Sequence, residues 1–169
     1  MNSIELKNLQ APLKEKYKTE PGSAIVTLKA TGKIGDGISC TVQTGRAFIE
    51  AGLHPATGGT GIVACSGDLL LEALVACASV TLRAVATAIG VEIKDGFVKA
   101  EGDLDFRGTL GVSKDVPVGF KYIRLEFNLD TNATAEQIES ISKLTERYCV
   151  VYQTLMKGVT IESQYHLSQ

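Results

Sequence analysis

Ala24, Val26, Leu28 and Ala30 fall on alternate positions, with Thr27 and Lys29 between them. A period of two predicts a strand. Thr31-Gly32-Lys33-Ile34-Gly35-Asp36-Gly37 reads as a turn. Ile38, Cys40 and Val42 alternate again as a second strand, and Thr44-Gly45 leads into a third short strand at residues 46–50. Residues 51–66 form a glycine-rich loop. The segment that follows, DLLLEALVACASVTLRAVATAIG, is apolar almost all round and predicts a helix buried on most sides. Ser66 suits its N-cap, Asp68 suits the positive end of its dipole, and Gly90 suits the C′ stop. At 1.5 Å per residue the helix is roughly 30 Å long. A small domain has little chain to surround it, so a second subunit is expected to supply cover. Glu72 and Arg83 return to nearly one face at about 100° per residue and mark a wet or paired stripe.

Beyond Gly90, Val98, Ala100, Gly102, Leu104 and Phe106 alternate with charged residues, and so do Ile123, Leu125, Phe127 and Leu129. These are two more strands, joined by a loop around Gly108 to Gly119. Thr134 with Gln137 is a capping box for a helix carrying Ile138, Ile141, Leu144 and Tyr148 on one face. Cys149 lies at its end or at the start of a new helical turn, and Gly158 ends the helical region. Val159, Ile161, Tyr165 and Leu167 predict a closing strand, with Ser163 breaking the pattern. The order is β-β-β-α-β-β-α-α-β, an α+β fold with a mostly antiparallel sheet.

The first 20 residues are polar, with a short helix after Pro12, and Pro21-Gly22 closes that segment. Residues 1–21 are read as an N-terminal extension and 22–169 as one domain. The length suits a single domain with a sizeable core. A net charge of −2 gives no electrostatic case for nucleic acid or an acidic membrane. The first residues show no apolar core of a secretory signal. The uncharged run between Glu72 and Arg83 is too short to span a bilayer. The chain is therefore expected to be soluble and cytoplasmic, and its four cysteines reduced, catalytic or buried.

Two cysteines sit where chemistry is conceivable. Cys77 lies mid-helix in LVACASVTL, where apolar burial suits a structural thiol and suppresses reactivity. Cys149 lies in ERYCVVYQTL; a helix starting there would lower its pKa, with Arg147 and Lys143 adding to the effect, or else it is a core residue. The loop GLHPATGGTGIVACS holds His54 and Cys65. His54 is either a Cys–His partner for Cys77 or Cys65 or a loop residue beside Pro55. Cys65 is a surface thiol, a packing residue or an alternative disulfide partner. No Gly-Lys-Ser/Thr follows, so a phosphate loop is not expected. Cys40 is read as core and His166 as surface. No Cys-x-x-Cys is present, and neither a metal nor a cofactor is expected.

DLLLEALVACASVTL resembles the segment that holds the first cysteine of OsmC/Ohr proteins, the osmotically inducible and organic hydroperoxide resistance family. That segment is written acidic-Leu-Leu-x-x-Ala-x-x-Ala-Cys-x-x-x-Thr/Ala-Leu. YCVVYQTL is similar to the second, a Cys-Pro/Val-Val-x-x-x-Leu pattern, and the separation of Cys77 and Cys149 also suits the family. The order of elements agrees from about Ala24 to the end. The resemblance implies an intertwined homodimer around the long helix. It also implies reduction of organic hydroperoxides, with Cys77 as the peroxidatic thiolate, Cys149 as the resolving thiol, and a dithiol reductant such as a lipoylated protein or thioredoxin.

The activating residues depart from the pattern. Family peroxidases use an Arg to stabilise the thiolate and a Glu to hold that Arg. The Glu lies ten residues before the first cysteine, where this chain has Gly67. Asp68 is adjacent and shorter. It lies about 14 Å along the helix from Cys77 of its own chain, so it would act only across a dimer interface, or serve as an N-terminal helix charge. Lys33 takes the place of an Arg found in one branch, as a charge without a bidentate fork. Arg46 is the nearest true Arg. Lys33 and Arg46 are each a candidate for thiolate activation or a solvated surface charge. A second reading keeps the same fold as a binding protein for an apolar small molecule without peroxidase activity. A third is a Cys–His hydrolase or transferase using His54.

Overall fold

The computed structural model describes residues 2–20, 31–34, 39–43 and 48–167, with the first strands described in their backbone. The expected strand at residues 24–30, the Pro21-Gly22 stop, the glycines of the 35–37 turn, Thr44-Gly45 and Arg46 lie outside the described residues.

The chain opens with helix α1, Ser3–Thr19. It starts earlier than the short helix expected after Pro12, because Asn2 and Glu5 cap it reciprocally. The Asn2 Oδ1 accepts from the Glu5 N–H at 2.9 Å, and the Glu5 Oε2 accepts from the Asn2 N–H at 2.9 Å. Pro12 sits inside α1 and forgoes one backbone hydrogen bond there.

Strands β1 (Thr31–Ile34), β2 (Ser39–Gln43), β3 (Phe48–Gly52) and β4 (Ala64–Cys65) form a sheet in that order, antiparallel except for the β3–β4 pair. The turn expected at 31–37 is corrected in its first half. Thr31 to Ile34 pair with Gln43 to Cys40, so a ladder satisfies backbone groups that a turn would leave to water. The expected second and third strands are present as β2 and β3.

Helix α2, Ser66–Ala88, follows β4 directly. Ser66 is its first helical residue and not its N-cap. Cys65, paired to Gly52 in the sheet and extended at φ −87°, takes the cap position without a side-chain bond. Gly90 stands just beyond the C-cap at φ 74°, as expected of a C′ glycine. Within one chain α2 buries a single stripe, Leu74, Ala78, Leu82, Val85 and Ala86, whereas Val80 is 71% exposed. The expectation of burial on most sides is therefore not met by one subunit, which supplies too few elements to surround the helix. Arg83 ties α2 to the next strand by donating to the Ile93 carbonyl; Glu72 is exposed.

Two twelve-residue strands, β5 (Ile93–Leu104) and β6 (Phe120–Thr131), pair antiparallel, and β5 lies against α2. The loop between them contains a one-turn helix α3, Phe106–Thr109, capped by Asp105. Helix α4, Ala135–Tyr148, begins with the expected capping box of Thr134 and Gln137. Helix α5, Val150–Lys157, follows after one residue, and Gly158 ends it. Leu82, Val85, Ala86, Val91, Ile93 and Ile141 form the core, with Phe127, Leu129, Ala133 and Leu144 packed on it.

The expected closing strand is absent from residues 159–167, which form no ladder. Val159, Ile161, Tyr165 and Leu167 are 64%, 82%, 93% and 97% exposed. An alternating pattern makes a strand only where an edge receives it, and no described strand of this chain does so.

Candidate functional site

Helix α2 packs against both α4 and α5, and this brings Cys77 to the junction of the two later helices. The junction is built by local bonds. The Cys149 N–H donates to the Thr145 carbonyl at 2.9 Å and closes α4. Cys149 itself is extended, at φ −72° and ψ 110°, so the chain changes direction there. The Gln153 N–H donates to the Cys149 carbonyl at 2.9 Å and opens α5, and the Gln153 side chain donates to the Glu146 carbonyl at 2.8 Å across the break. The first N–H groups of a helix have no partner within it. Those of Val150 and Val151 are directed at the Cys77 sulfur.

The electrostatics of the two thiols diverge. Burial raises the Cys77 pKa, but it is outweighed by the Val151 N–H, the Cys149 thiol, the Val150 N–H and the Thr81 hydroxyl, all bonding to the sulfur. The net shift is downward. Cys149 moves the other way: burial raises its pKa, and so does the neighbouring Cys77 charge. The pair can thus hold one thiolate, on half-buried Cys77, and one thiol, on buried Cys149. Sequence reasoning assigned the helix-start effect to Cys149 itself, with help from Lys143 and Arg147. That assignment is corrected. The Tyr152 and Val151 N–H groups at the start of α5 do lower the Cys149 pKa, but burial and the neighbouring Cys77 outweigh them; the Val151 and Val150 N–H groups also bond to Cys77, Lys143 pairs with Glu139, and Arg147 lies over the Tyr148 ring.

His54 and Cys65 line a separate cavity of about 340 Å³ with Gly67, Asp68 and Phe106; Cys77 is not on its wall. The His54 Nδ1 accepts from the Ala56 N–H at 3.1 Å and caps the turn at Pro55–Thr57, and the ring stacks on Phe106 at 4.9 Å. His54 thus shares a wall with Cys65 and not with Cys77. Asp68 occupies the first turn of α2, and Cys77 lies mid-helix. The backbone of Lys33 pairs with Thr41 in the sheet, and Cys40 lies opposite Ile34 and Ala51; their side chains are outside the described set, as is Arg46 altogether. His166 is exposed. Among the described residues no three His, Cys, Asp or Glu side chains gather as a metal site.

Thr81 and the backbone donors of α5 were not singled out from sequence. Thr81 is four residues after Cys77, hence on the same helix face, and that spacing is a usable signal. An apolar cavity of about 520 Å³ lies between α1, α2 and α4, with Thr81 and Tyr148 on its wall.

Residues 59–164 match the sequence profile of the OsmC-like protein family. No curated protein matches the chain. Solved structures share its fold at low identity. An OsmC-like protein from Mycoplasma pneumoniae is 17% identical at a TM-score of 0.67, covering 79% of this chain and 89% of its own. An organic hydroperoxide resistance protein from Elizabethkingia anophelis is 18% identical at 0.63, covering 80% and 91%. An organic hydroperoxide resistance protein from Legionella pneumophila, also titled a predicted redox protein, is 19% identical at 0.62, covering 80% and 92%. Helix α2 is long and apolar enough to cross a membrane by length and composition; here it is the central helix of this fold, packed on β5 and α4.

Proposed function

The chain belongs to the OsmC-like protein family, and we propose that it reduces organic hydroperoxides with Cys77 and Cys149. The observation that carries this reading is the pairing of the two sulfurs at the start of α5, with the Cys77 pKa lowered and the Cys149 pKa raised. A peroxidatic cysteine must be a thiolate, and its resolving partner must lie close and stay protonated until needed. The Cys77 thiolate attacks the terminal oxygen of the hydroperoxide. The O–O bond breaks, the alkoxide leaves and takes a proton as the alcohol, and Cys77 becomes a sulfenic acid. The Cys149 sulfur then attacks that of Cys77; the hydroxyl departs as water with the Cys149 proton, leaving a disulfide. A dithiol reductant, such as a lipoylated protein or thioredoxin, restores both thiols and is itself oxidised to a disulfide. The proposed setting is a soluble, cytoplasmic homodimer.

Thiolate stabilisation by α5 backbone donors offers this chain a route around the altered Glu position at Gly67. The second reading, a binding protein for an apolar small molecule, is favoured by the cavity between α1 and α2. The test is one equivalent of cumene hydroperoxide on the reduced protein, followed by intact-mass analysis and peptide mapping. Loss of two hydrogens, mapped to Cys77 and Cys149 and abolished in Cys77→Ser, supports the peroxidase. An unchanged mass transfers the weight to the binding reading.

A further inference from the structure

We propose that Gln153 is a positioning residue for the thiol pair: its side chain takes the Glu146 carbonyl in place of the Val150 N–H, and so frees that N–H for the Cys77 sulfur. The inference rests on the reading above for the roles of the two cysteines, and adds to it the residue that keeps a donor in place.

In an α-helix each N–H donates to the carbonyl four residues back. The Cys149 N–H still does so, donating to the Thr145 carbonyl at 2.9 Å. If α4 ran on, the next bond would join the Val150 N–H to the Glu146 carbonyl. Instead the chain turns at Cys149, and the Gln153 Nε2 donates to the Glu146 carbonyl at 2.8 Å. The Val150 N–H is left to the Cys77 sulfur, beside that of Val151. One side-chain amide thus replaces a backbone donor, and the replaced donor is one that the site uses.

The same residue holds the far side of the break. The Gln153 N–H donates to the Cys149 carbonyl at 2.9 Å and closes the first turn of α5. Helix α5 has eight residues, too few to be stable as a helix by itself. Its direction is set by packing on α2 and by this two-sided hold. Without the side-chain amide, the Glu146 carbonyl loses its partner, and the Val150 N–H has the helical spacing to replace it. Extending α4 by that one bond draws the N–H away from Cys77. Gln153 therefore acts through Val150 and need not touch either sulfur.

The test follows alkylation of Cys77 by iodoacetamide against pH in the full chain, read by peptide mass mapping. Gln153→Met keeps the reach of the side chain and removes the donor, and is expected to move the curve to higher pH. Gln153→Asn, an amide one methylene too short, is expected to do the same and serves if the first variant does not fold. Val150→Pro separates positioning from general loosening. Proline has no N–H to withdraw, and its ring bars the continuation of α4. In that background the further shift from Gln153→Met is expected to be lost. A curve unmoved in both Gln153 variants would overturn the proposal. So would a Gln153→Met shift as large in the Val150→Pro background as in the unmodified chain. Alkylation needs no peroxide, so the two readings fail separately. A Gln153-dependent curve without a disulfide after cumene hydroperoxide defeats the peroxidase and leaves this inference standing. Disulfide formation with a curve indifferent to Gln153 does the reverse.

Discussion

The Cys77 pKa is lowered by donors that reach it from outside its own helix, apart from Thr81. A variant can therefore change it without touching α2. Cys149→Ala removes one S–H donor, a weak one, and is expected to raise the Cys77 pKa. Cys149→Ser keeps a hydroxyl donor and is expected to leave it low. Alkylation of Cys77 followed against pH by mass spectrometry checks this. The rate rises as pH climbs through the Cys77 pKa and then levels, so the Cys149→Ala curve should lie to the alkaline side of both others. Coincident curves would mean that the thiol contributes nothing. Gly67 offers a second residue-scale expectation. A Cβ there would meet Phe120 Cζ at 3.5 Å and both Cys65 Sγ and Leu104 Cδ1 at 3.6 Å, which is ordinary contact. Gly67→Ala in the first turn of α2 should therefore stabilise the fold, by about 0.5–1 kcal/mol in urea unfolding. A loss of stability would show that the site needs its glycine.

At the scale of elements, the break between α4 and α5 is what frees two backbone donors for Cys77. Cys149 is extended, the conformation that a residue before proline adopts, and Val150 is the first residue of α5, where proline fits. Val150→Pro is thus expected to keep the helix, to add about 0.4–1 kcal/mol through the unfolded state, and to move the Cys77 alkylation curve to higher pH by removing one N–H. A lowered melting temperature or an unmoved curve would count against this account of the junction. The sequence showed this element only in part. The α4 start and the α2 stop were legible because a capping box and a C′ glycine are local signals carried by side-chain type. The donors to Cys77 were not legible, since a backbone N–H has no residue signature and its target lies some 70 positions away. Glycines at 32, 35 and 37 made β1 look like a turn, and Pro12 hid a helix that Asn2 and Glu5 start.

At the scale of the molecule, one chain leaves apolar surface that a small soluble fold seldom exposes in this quantity. Val80 on α2 and the alternating Val159, Ile161, Tyr165 and Leu167 face outward. The alternation has the period of a strand but no edge in its own chain, and an edge on a second copy would complete it. Sedimentation is therefore expected to give twice the chain mass. Amides 159–167 should exchange slowly at high protein concentration and quickly on dilution, and Ile161→Asp with Tyr165→Asp should shift the protein towards monomer. A stable monomer at high concentration, or exchange that ignores concentration, would defeat the pairing of this segment. Dissociation also separates two sources of reactivity. Cys77, Cys149, Thr81 and the α5 donors all belong to one chain. If they suffice to hold the thiolate, the Ile161→Asp, Tyr165→Asp monomer retains the acidic alkylation curve of Cys77. If the curve moves to that of an ordinary thiol, the thiolate depends on a charge delivered across the interface, and the donors at the start of α5 are secondary to it.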